Sequence, residues 1–598
     1  MKIVLLLCSM WVFGTSWSES LTCDKSFVAI HDIQGTGQAS KLVGERIHVS
    51  GIVTADFRGK QSLGGFFIQS VNSDDDIYTS EGLFIRDNDT YRKIKVGDLV
   101  AIDGYVSEEY ELTQLDRVQK IKVCQSGLPL PSSTSLYMPK NDAYLEAHEN
   151  MYVTLFNPVV ITDVYQYIKY GELTVSSEML MAPTAVVRGE QAVKEVARKN
   201  QLDQLIIDDG RLAAFATPLA KGFLGQRPVS AANRWWLGDQ VQPRGVLFYA
   251  FGKYKLQPTE PLMKLNMTDQ AWQQPKDVGG TVQVATFNVQ NFFTTIDDGQ
   301  VRCGPTKQFS CRGADSPEEY NRQVAKLVSA INTTNASVMG IQELENNQTS
   351  GGQLVQHLNE AAGHEKWAYI DTGALGEDVI KVGLIYQPGQ LQTVGDYALL
   401  NAAANPAFKE HRNRIVVAQS FKSRKGNVFT VATAHFKSKS CSDAEGANKA
   451  QADGQGCYNP VRTEVAEQVA NWLNSDPTGH GSEVLILVGD LNSYQQEDPI
   501  GMLSKKGMIN LANPFLAPTN WTASYRGQVG SLDYIMTNDA GLNVVTELTQ
   551  WHINSAEMPW FGYHTEALDK SFNKPDTFFQ PDPFSSSDHD VVIAGFEL

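Results

Sequence analysis

Between residues 23 and 124, apolar and polar positions alternate in short runs, "RIHVSGIVTADF", "GGFFIQS", "EGLFIRD" and "VGDLVAIDGYVSEEYELTQLD", separated by Gly and Asp. Period-two alternation with that punctuation predicts a small β-barrel or sandwich. Residues 129–265 read as β-rich again, through "MYVTLFNPVVITDVY", "LTVSS" and "VQPRGVLFYAFGKYKLQP", around a more helical stretch at 189–200, and fit a second barrel. Residues 266–280, polar with Pro and two glycines, predict a linker.

From residue 281 the pattern changes. "TVQVATFNVQ", "SVMGIQE", "IKVGLIY", "RIVVAQSF", "NVFTVATAH", "EVLILVGD", "SLDYIMT" and "VVIAGFE" are apolar or alternating runs of strand length. Two helices stand out. In "EEYNRQVAKLVSAI", Tyr320, Val324, Leu327, Val328 and Ile331 share a face, as do Val461, Val465, Val469 and Leu473 in "VRTEVAEQVANWLN". Many strands with few helices predict an α/β fold, two packed sheets flanked by helices.

Length sets the number of domains: 598 residues correspond to about three or four on the usual size scale. At the start, Met1-Lys2, an apolar run over residues 3–14 and small polar residues follow the order of a secretory signal, with cleavage expected near Ser18. The run is shorter than the ~20 residues that span a bilayer. The expected organisation is a signal peptide at 1–18, β-domains at 19–128 and 129–265, a linker at 266–280 and a catalytic domain at 281–598. Secretion is expected, with the periplasm as the alternative, and no membrane span.

Without Cys8, six cysteines remain: Cys23, Cys124, Cys303, Cys311, Cys441 and Cys457. Export favours disulfides. Pairing of neighbours is the simplest arrangement, although six cysteines admit about fifteen connectivities. No C-x-x-C or close Cys/His set points to zinc. The net charge of −17 argues against a protein that holds DNA on a basic surface. Residues 281–598 hold 22 Lys and Arg against 35 Asp and Glu, so a polyanion-cleaving site there needs divalent cations and local Arg or Lys contacts.

The chemistry lies at the ends of the strands. Asn288 ends the first, Glu343 the second, His435 the fifth, and Asp490 with Asn492 the sixth; Asp533 lies in "SLDYIMT", and Asp588, His589 and Asp590 lead into the last. Singly, an Asp or Asn after a strand is ordinarily a turn former. A pocket that collects them all suits a hard, oxygen-liganded cation with acid–base groups.

In order and spacing, "TFNVQN", "IQELEN", "VGLIYQP", "TAHFKSK", "VGDLNSY", "LDYIM" and "SSDHD" resemble the endonuclease/exonuclease/phosphatase superfamily across residues 281–598. "FFTTIDDGQVRCGP" and "CRGADSPEEYNRQ", behind a barrel that resembles the oligonucleotide-binding fold, narrow the resemblance to bacterial extracellular nucleases. The resemblance implies a two-layer, DNase I-like β-sandwich flanked by helices, preceded by all-β, barrel-like domains. It implies a secreted, metal-dependent nuclease of low sequence selectivity that acts on DNA, with RNA a further possible substrate, as a monomer without a stable protein partner. Mg2+ or Mn2+ is the implied catalytic ion. Ca2+ is a further candidate at acidic loops such as Asp297-Asp298 and Asp74-Asp75-Asp76.

Carried onto this sequence, the resemblance gives metal binding to Glu343 with Asn288 and Asp588. It gives Asp490 and Asn492 contact with the attacking water and phosphate. His589, held by Asp533, and His435 match the family's histidine pair. Arg414 or its rival Arg412 matches a phosphate-binding arginine, and Asp378 is assigned to orient His435. The sequence departs from the family pattern at Ser585, where relatives often carry arginine, and at Val591, where proline is frequent.

Two other readings stand beside this one. A lipid or small-phosphodiester phosphodiesterase would use an apolar loop, for which "EMPWFGYH" around Trp560 and Phe561 is the candidate. A non-catalytic nucleic-acid or matrix binder would have no need of both histidines and all the acids. A serine hydrolase is excluded by the lack of a G-x-S-x-G elbow.

Overall fold

A computed structural model describes residues 21–24, 26–215, 229–266, 272–566 and 572–598. The expected signal peptide at 1–18 and residues 267–271 of the expected linker lie outside the described residues. The chain divides into two compact units, Met1–Thr134 with Asp142–Val153 and Gly245–Lys255, and Ser135–Asn141 with Thr154–Arg244 and Leu256–Leu598.

In the first unit, β1 (Arg46–Phe57), β2 (Gly65–Gln69), β3 (Gly82–Ile85), β4 (Leu99–Glu109) and β5 (Leu112–Gln125) close into a barrel in the order β1-β2-β3-β5-β4. Pairing is antiparallel except between β3 and β5. The inward side chains of the alternating runs, among them Val49, Val53, Phe66, Ile68, Ile102 and Leu115, make its core. A short helix, α1 (Ile30–Gln34), packs Ile30 and Ile33 onto that core, and the Cys23–Cys124 disulfide ties the first described residues to the end of β5.

The strands of residues 129–265, expected as a second barrel, fall partly in each unit. Tyr152, Val246 and Phe248 join Phe67 and Phe84 of the first unit in one apolar cluster, with the Phe67 and Phe248 rings 5.6 Å apart. The other strands, β6 (Val159–Asp163), β7 (Glu172–Ser176) and β8 (Leu205–Asp208), and helix α2 (Glu190–Leu202) belong to the second unit. There Met181 bridges Val529, Thr184 bonds Glu497, and Arg234 forms a buried ion pair with Glu557 at 2.6 Å. The described end of the linker is equally anchored: Trp551 donates to the Trp272 carbonyl, and Val278 is buried.

The remainder of the second unit is a two-sheet sandwich. One sheet has the order β11-β12-β10-β9-β20-β19, from β9 (Val282–Phe292), β10 (Val338–Glu345), β11 (Ala368–Tyr369), β12 (Ile380–Tyr386), β19 (Val545–Trp551) and β20 (Val591–Phe596). The other has the order β13-β14-β15-β16-β18-β17, from β13 (Leu391–Leu400), β14 (Val416–Ser423), β15 (Val428–His435), β16 (Val484–Asp490), β17 (Ile509–Asn510) and β18 (Asp533–Thr537). Val284, Val338, Val382, Val431, Ile486 and Ile535 are among the residues buried between them.

Helix α3 (Pro317–Thr334) starts with Ser316 accepting from the Glu319 amide and Pro317 in its first turn. It buries Leu327 and Ile331 as the periodicity predicts, but Glu319, Gln323 and Lys326 are buried where Val324 and Val328 were expected. Helix α4 (Ser350–Ala362) was not foreseen. Helix α5 (Asn459–Leu473) buries Val461, Val465, Val469 and Leu473, and with them Arg462. Among the described residues no helix is long and apolar enough to cross a membrane.

Candidate active site

The strand ends meet because their registers agree. In the second sheet His435 pairs Asp490 across parallel β15 and β16, and Asp490 pairs Asp533 across antiparallel β16 and β18. Three polar residues, each closing or opening an apolar strand, therefore lie side by side at one edge. His589 reaches the same edge from the turn before β20, its Nδ1 2.8 Å from Asp533 Oδ2 and its Nε2 3.9 Å from Asp490 Oδ2. His435 Nε2 approaches the same Asp490 oxygen at 3.2 Å.

The first sheet supplies the opposite side. Beyond the Asn288–Gln342 pairing, the β9–β10 register shifts before Phe292 meets Leu344, and Gln290, Asn291 and Glu343 all have left-handed φ, 51°, 54° and 67°. Such a bulge re-aims a side chain, at a backbone cost of about 1 kcal/mol or more for a non-glycine residue. It brings Glu343 onto the cleft, where its carboxylate accepts from the Asn291 amide at 2.9 Å and from Asn288 Nδ2 at 3.2 Å. The same Asn288 amide donates to Asp490 Oδ2 at 3.2 Å, so one buried side chain joins the two sheets' carboxylates. Asn492, with φ 46°, donates its backbone N–H to Asp490 Oδ1 and its side chain to the Phe436 carbonyl.

These contacts set the charges. Burial alone would raise Asp490, but His589 and His435, with hydrogen bonds from His435 and the Asn492 amide, hold it well below the usual carboxylate range. Burial pushes Asp533 up to about 6, with His589 and the Thr522 hydroxyl opposing. Burial likewise disfavours the His589 imidazolium, yet Asp533 and Asp490 outweigh it and raise its pKa well above the ordinary value.

The cleft has a volume of about 660 Å³. Glu343, His435, Asp490, Asn492 and His589 line its floor, and Arg412 and Arg414 both reach it. Asp378 requires a correction: it ion-pairs with Arg414 Nε at 3.1 Å and does not hold His435, whose buried Nδ1 has no hydrogen-bond partner among the described residues. Burial raises Asp378, but the adjacent Arg414 charge more than reverses this. Asp588 is exposed, close enough to Glu343, Asp490 and His589 to feel their charges.

The walls hold what the motifs left out. Phe309 comes from the loop closed by Cys303–Cys311 and Arg312 from the residue just after it, while Lys437, Ser438 and Tyr458 flank the loop closed by Cys441–Cys457, which itself contributes Ser442. Behind the second wall, fully buried Arg462 donates to the carbonyls of Lys437, Ser438, Gln455 and Cys457 and to Ser493 Oγ. The heptad of α5 disguised Arg462 as a surface position; its neighbours become visible only once the disulfide loop is closed.

A cation fits this donor set. Glu343 and Asp490, drawn together through Asn288, and Asp588 nearby are hard oxygen ligands with lone pairs to spare and no thiolate among them. Asn288 turns its nitrogen to the carboxylates and its oxygen to the Gln290 amide, so as placed it braces the acids. Asp490, Asp533 and His589 also bring ligand atoms within 4.8 Å of one another, but both ring nitrogens of His589 already face a carboxylate, the arrangement of a proton-holding network.

Trp560 and Phe561, the candidate lipid-contacting loop, are 4% and 1% exposed, with the Arg234 guanidinium 5.0 Å from the Phe561 ring centre. That loop has no apolar face to offer a membrane. Ser586 and Ser587 cap Asn554 and the Asn288 carbonyl and are not placed as nucleophiles.

Solved structures similar to the chain include an endonuclease/exonuclease/phosphatase family protein of Bacteroides thetaiotaomicron, 14% identical over 54% of this chain and 98% of that one, with a TM-score of 0.33. The human nocturnin catalytic domain with bound sulfate is 14% identical over 54% of this chain and 96% of that one, with a TM-score of 0.33. D. rerio TDP2 complexed with a single strand DNA product is 13% identical over 53% and 99%, with a TM-score of 0.32. No curated protein matches the chain. The profile of the Endonuclease/Exonuclease/phosphatase family matches residues 285–589, just over half the chain, from the strand carrying Asn288 to His589 itself, and the chain belongs to that family of phosphodiester and phosphate ester hydrolases.

Proposed function

We propose that this protein is a secreted, divalent-metal-dependent nuclease that hydrolyses the phosphodiester bonds of DNA with low sequence selectivity. The observation that carries the proposal is the cleft itself. Two histidines share one carboxylate on its floor, and Arg312, Arg412, Arg414 and Lys437 line its walls in a chain whose net charge is −17. Those four cations, interleaved with Glu377, Asp378 and Glu410 on the same walls, offer local contacts to a polyanion held at its backbone, and backbone contacts carry no base preference. Three disulfides accord with an oxidising compartment.

Hydrolysis requires a water oxygen to attack phosphorus, the ester P–O bond to break, and protons to leave the water and reach the departing alkoxide. Asp533, itself fixed by Thr522, orients His589 through Nδ1, so that Nε2 faces Asp490 and the cleft and exchanges the proton of the attacking water. Asp490 and Asn492 position that water. His435, across the same carboxylate, faces the leaving oxygen. Arg414, pinned by Asp378 and the Phe436 carbonyl, holds a non-bridging phosphate oxygen. Mg2+ or Mn2+ held by Glu343 and Asp588 would neutralise phosphate charge and oppose the imidazolium form of His589.

The test is closed-circular plasmid DNA incubated with the purified protein, with EDTA and with Mg2+ or Mn2+ restored. Nicking that disappears with EDTA and returns with the metal is the expected result. A folded sample that leaves the plasmid closed under every metal while it cleaves a small phosphodiester would replace DNA as the substrate.

A further inference from the structure

The barrel unit carries a second cluster of metal-ligating side chains that the nuclease reading does not use. His31 on α1, and Asp74 and Glu81 on the loop between β2 and β3, each bring one ligand atom within 4.8 Å of the others. His31 Nδ1 stands 3.1 Å from Glu81 Oε1 and 3.6 Å from Asp74 Oδ2. The loop is built to hold these positions. The Asp74 amide donates to Glu81 Oε1 at 2.8 Å, Thr79 Oγ1 to Asp74 Oδ2 at 3.1 Å, and the Asp76 amide to Asp74 Oδ1 at 2.8 Å. Gln34, one turn along α1, fixes the helix to the start of β3, where that loop ends, through the Gly82 carbonyl.

The contacts of His31 with the two carboxylates satisfy part of this arrangement. It leaves one atom unexplained. Glu81 is 4% exposed, and its Oε2 is buried without a hydrogen-bond partner among the described residues, a state that costs about 1–3 kcal/mol for a polar group and more for a charged one. A cation bound by both Glu81 oxygens, Asp74 Oδ2 and His31 Nδ1 removes that cost. The spacing from His31 agrees: donors at ~2.05 Å in tetrahedral directions are ~3.3 Å apart, between its 3.1 Å to Glu81 Oε1 and 3.6 Å to Asp74 Oδ2, while the second Glu81 oxygen, on the same carboxylate, sits closer to the first and narrows that angle. One imidazole with carboxylates is a donor set for a borderline first-row ion, whereas Ca2+ and Mg2+ sites are built from oxygen alone.

We propose that His31, Asp74 and Glu81 form a divalent-cation site in the barrel, separate from the nuclease cleft, that takes a first-row ion of the Zn2+ class and clamps α1 to the β2–β3 loop.

The test uses the full chain, stripped with EDTA and dialysed, then titrated with Zn2+ alone, with bound metal counted by mass spectrometry. Wild type and Glu343→Gln, which alters the cleft, should share a tight Zn2+ equivalent that His31→Ala and Glu81→Gln lose or bind at least 10-fold more weakly. Because a barrel variant can misfold, the wild-type protein is also labelled at histidine with diethyl pyrocarbonate, and Zn2+ should protect the His31 peptide. Equal Zn2+ stoichiometry and affinity in a folded His31→Ala protein, or a His31 peptide labelled alike with and without Zn2+, would overturn the site. Protection by Ca2+ and not by Zn2+ would overturn the class of ion. Failure of plasmid cleavage in the earlier assay leaves these outcomes untouched.

Discussion

Arg462 offers the sharpest test of how the cleft is held open. Its guanidinium meets the Cys457 carbonyl at 2.6 Å, Gln455 at 2.8 Å, Lys437 and Ser438 at 3.3 Å each and Ser493 Oγ at 3.2 Å, with no exposure to solvent. Arg462→Met keeps the apolar stem and removes every donor. Four carbonyls, that of Cys457 buried and those of Lys437, Ser438 and Gln455 partly so, and the buried Ser493 hydroxyl lose a partner, at about 1 kcal/mol each, so the gross loss is at most about 5 kcal/mol. Against this stands the cost of burying the charge. Burial presses Arg462 down to about 10 from an ordinary 12.5, with Glu497, Asp490 and Asp453 opposing, which corresponds to about 3 kcal/mol recovered when the charge goes. The net expectation is a loss of up to about 2 kcal/mol, read as a lower urea midpoint at unchanged m-value. The carbonyls set free belong to the wall that carries Lys437, Ser438 and Tyr458, so KM for DNA should rise about 10-fold with a smaller change in kcat. Reducing Cys441–Cys457 should act on the same wall, and the two perturbations should fall short of additivity. Wild-type urea midpoint and wild-type KM in Arg462→Met would refute the argument.

Three further expectations follow from other contacts. Asp533→Asn removes the charge that orients His589 while keeping the side chain's shape, and should lower turnover by about 10³–10⁴-fold with an unchanged circular dichroism spectrum; activity within 10-fold of wild type would remove Asp533 from the machinery. Arg312→Ala and Lys437→Ala should each weaken DNA binding uniformly across sequences and flatten the log affinity against log salt slope by about 1, whereas an unchanged slope would place neither side chain on phosphate. Glu319 illustrates pH dependence away from the cleft: burial raises it, but His564 and the Thr565 and Asp315 amides together lower it to about 2. A depressed folded pKa gives stability that is complete above the unfolded value of about 4.3 and lost as pH falls towards 2, here about 1.5 kcal/mol after discounting by half for solvent screening. Glu319→Gln should therefore be less stable than wild type at pH 6, with the gap shrinking to about a quarter by pH 2.5; a constant gap would exclude this ion pair as its source.

Eight of the twelve sandwich strands were legible as apolar or alternating runs of strand length, and at several of them the polar residue that ends the run lies in the candidate site; the short or mixed strands β11, β13, β17 and β19 were not. Asp490 closes "LILVGD" and Asp533 opens "DYIMT". What one-dimensional pattern could not give is register. The pairing of Asp378 shows this limit: "GEDVIKVG" places the acid at a strand start, but whether it meets His435 or Arg414 depends on how the loop before β14 folds back, and the structure gives it to Arg414. Arg462 is the converse case, since a charged residue beside Val461 and Val465 reads as the solvent edge of an amphipathic helix until carbonyls from a disulfide-closed loop surround it. The middle region misled for a third reason. Alternation identifies strands but not the unit that buries them, and Phe248 and Val529, on partners far apart in sequence, decide that.

The same register that makes the site also makes it costly. A shift of one residue between β15 and β16 would send His435 to the other face of its sheet, away from Asp490, so the apolar runs behind these residues specify the chemistry as well as the core. Asp490 and Asp533, adjacent across β16 and β18, are both nearly inaccessible, and their mutual repulsion helps keep Asp533 high, at about 6. The fold tolerates two such acids because Asn288, Asn492, Thr522 and the two histidines all donate or carry charge towards them. Each of those five comes from a different strand end or turn, so the stabilising groups can assemble only after both sheets have closed. A site whose charges are satisfied solely by the completed sandwich couples correct folding to activity: a chain mispaired at any one of these strands loses the proton network and the cation ligands together.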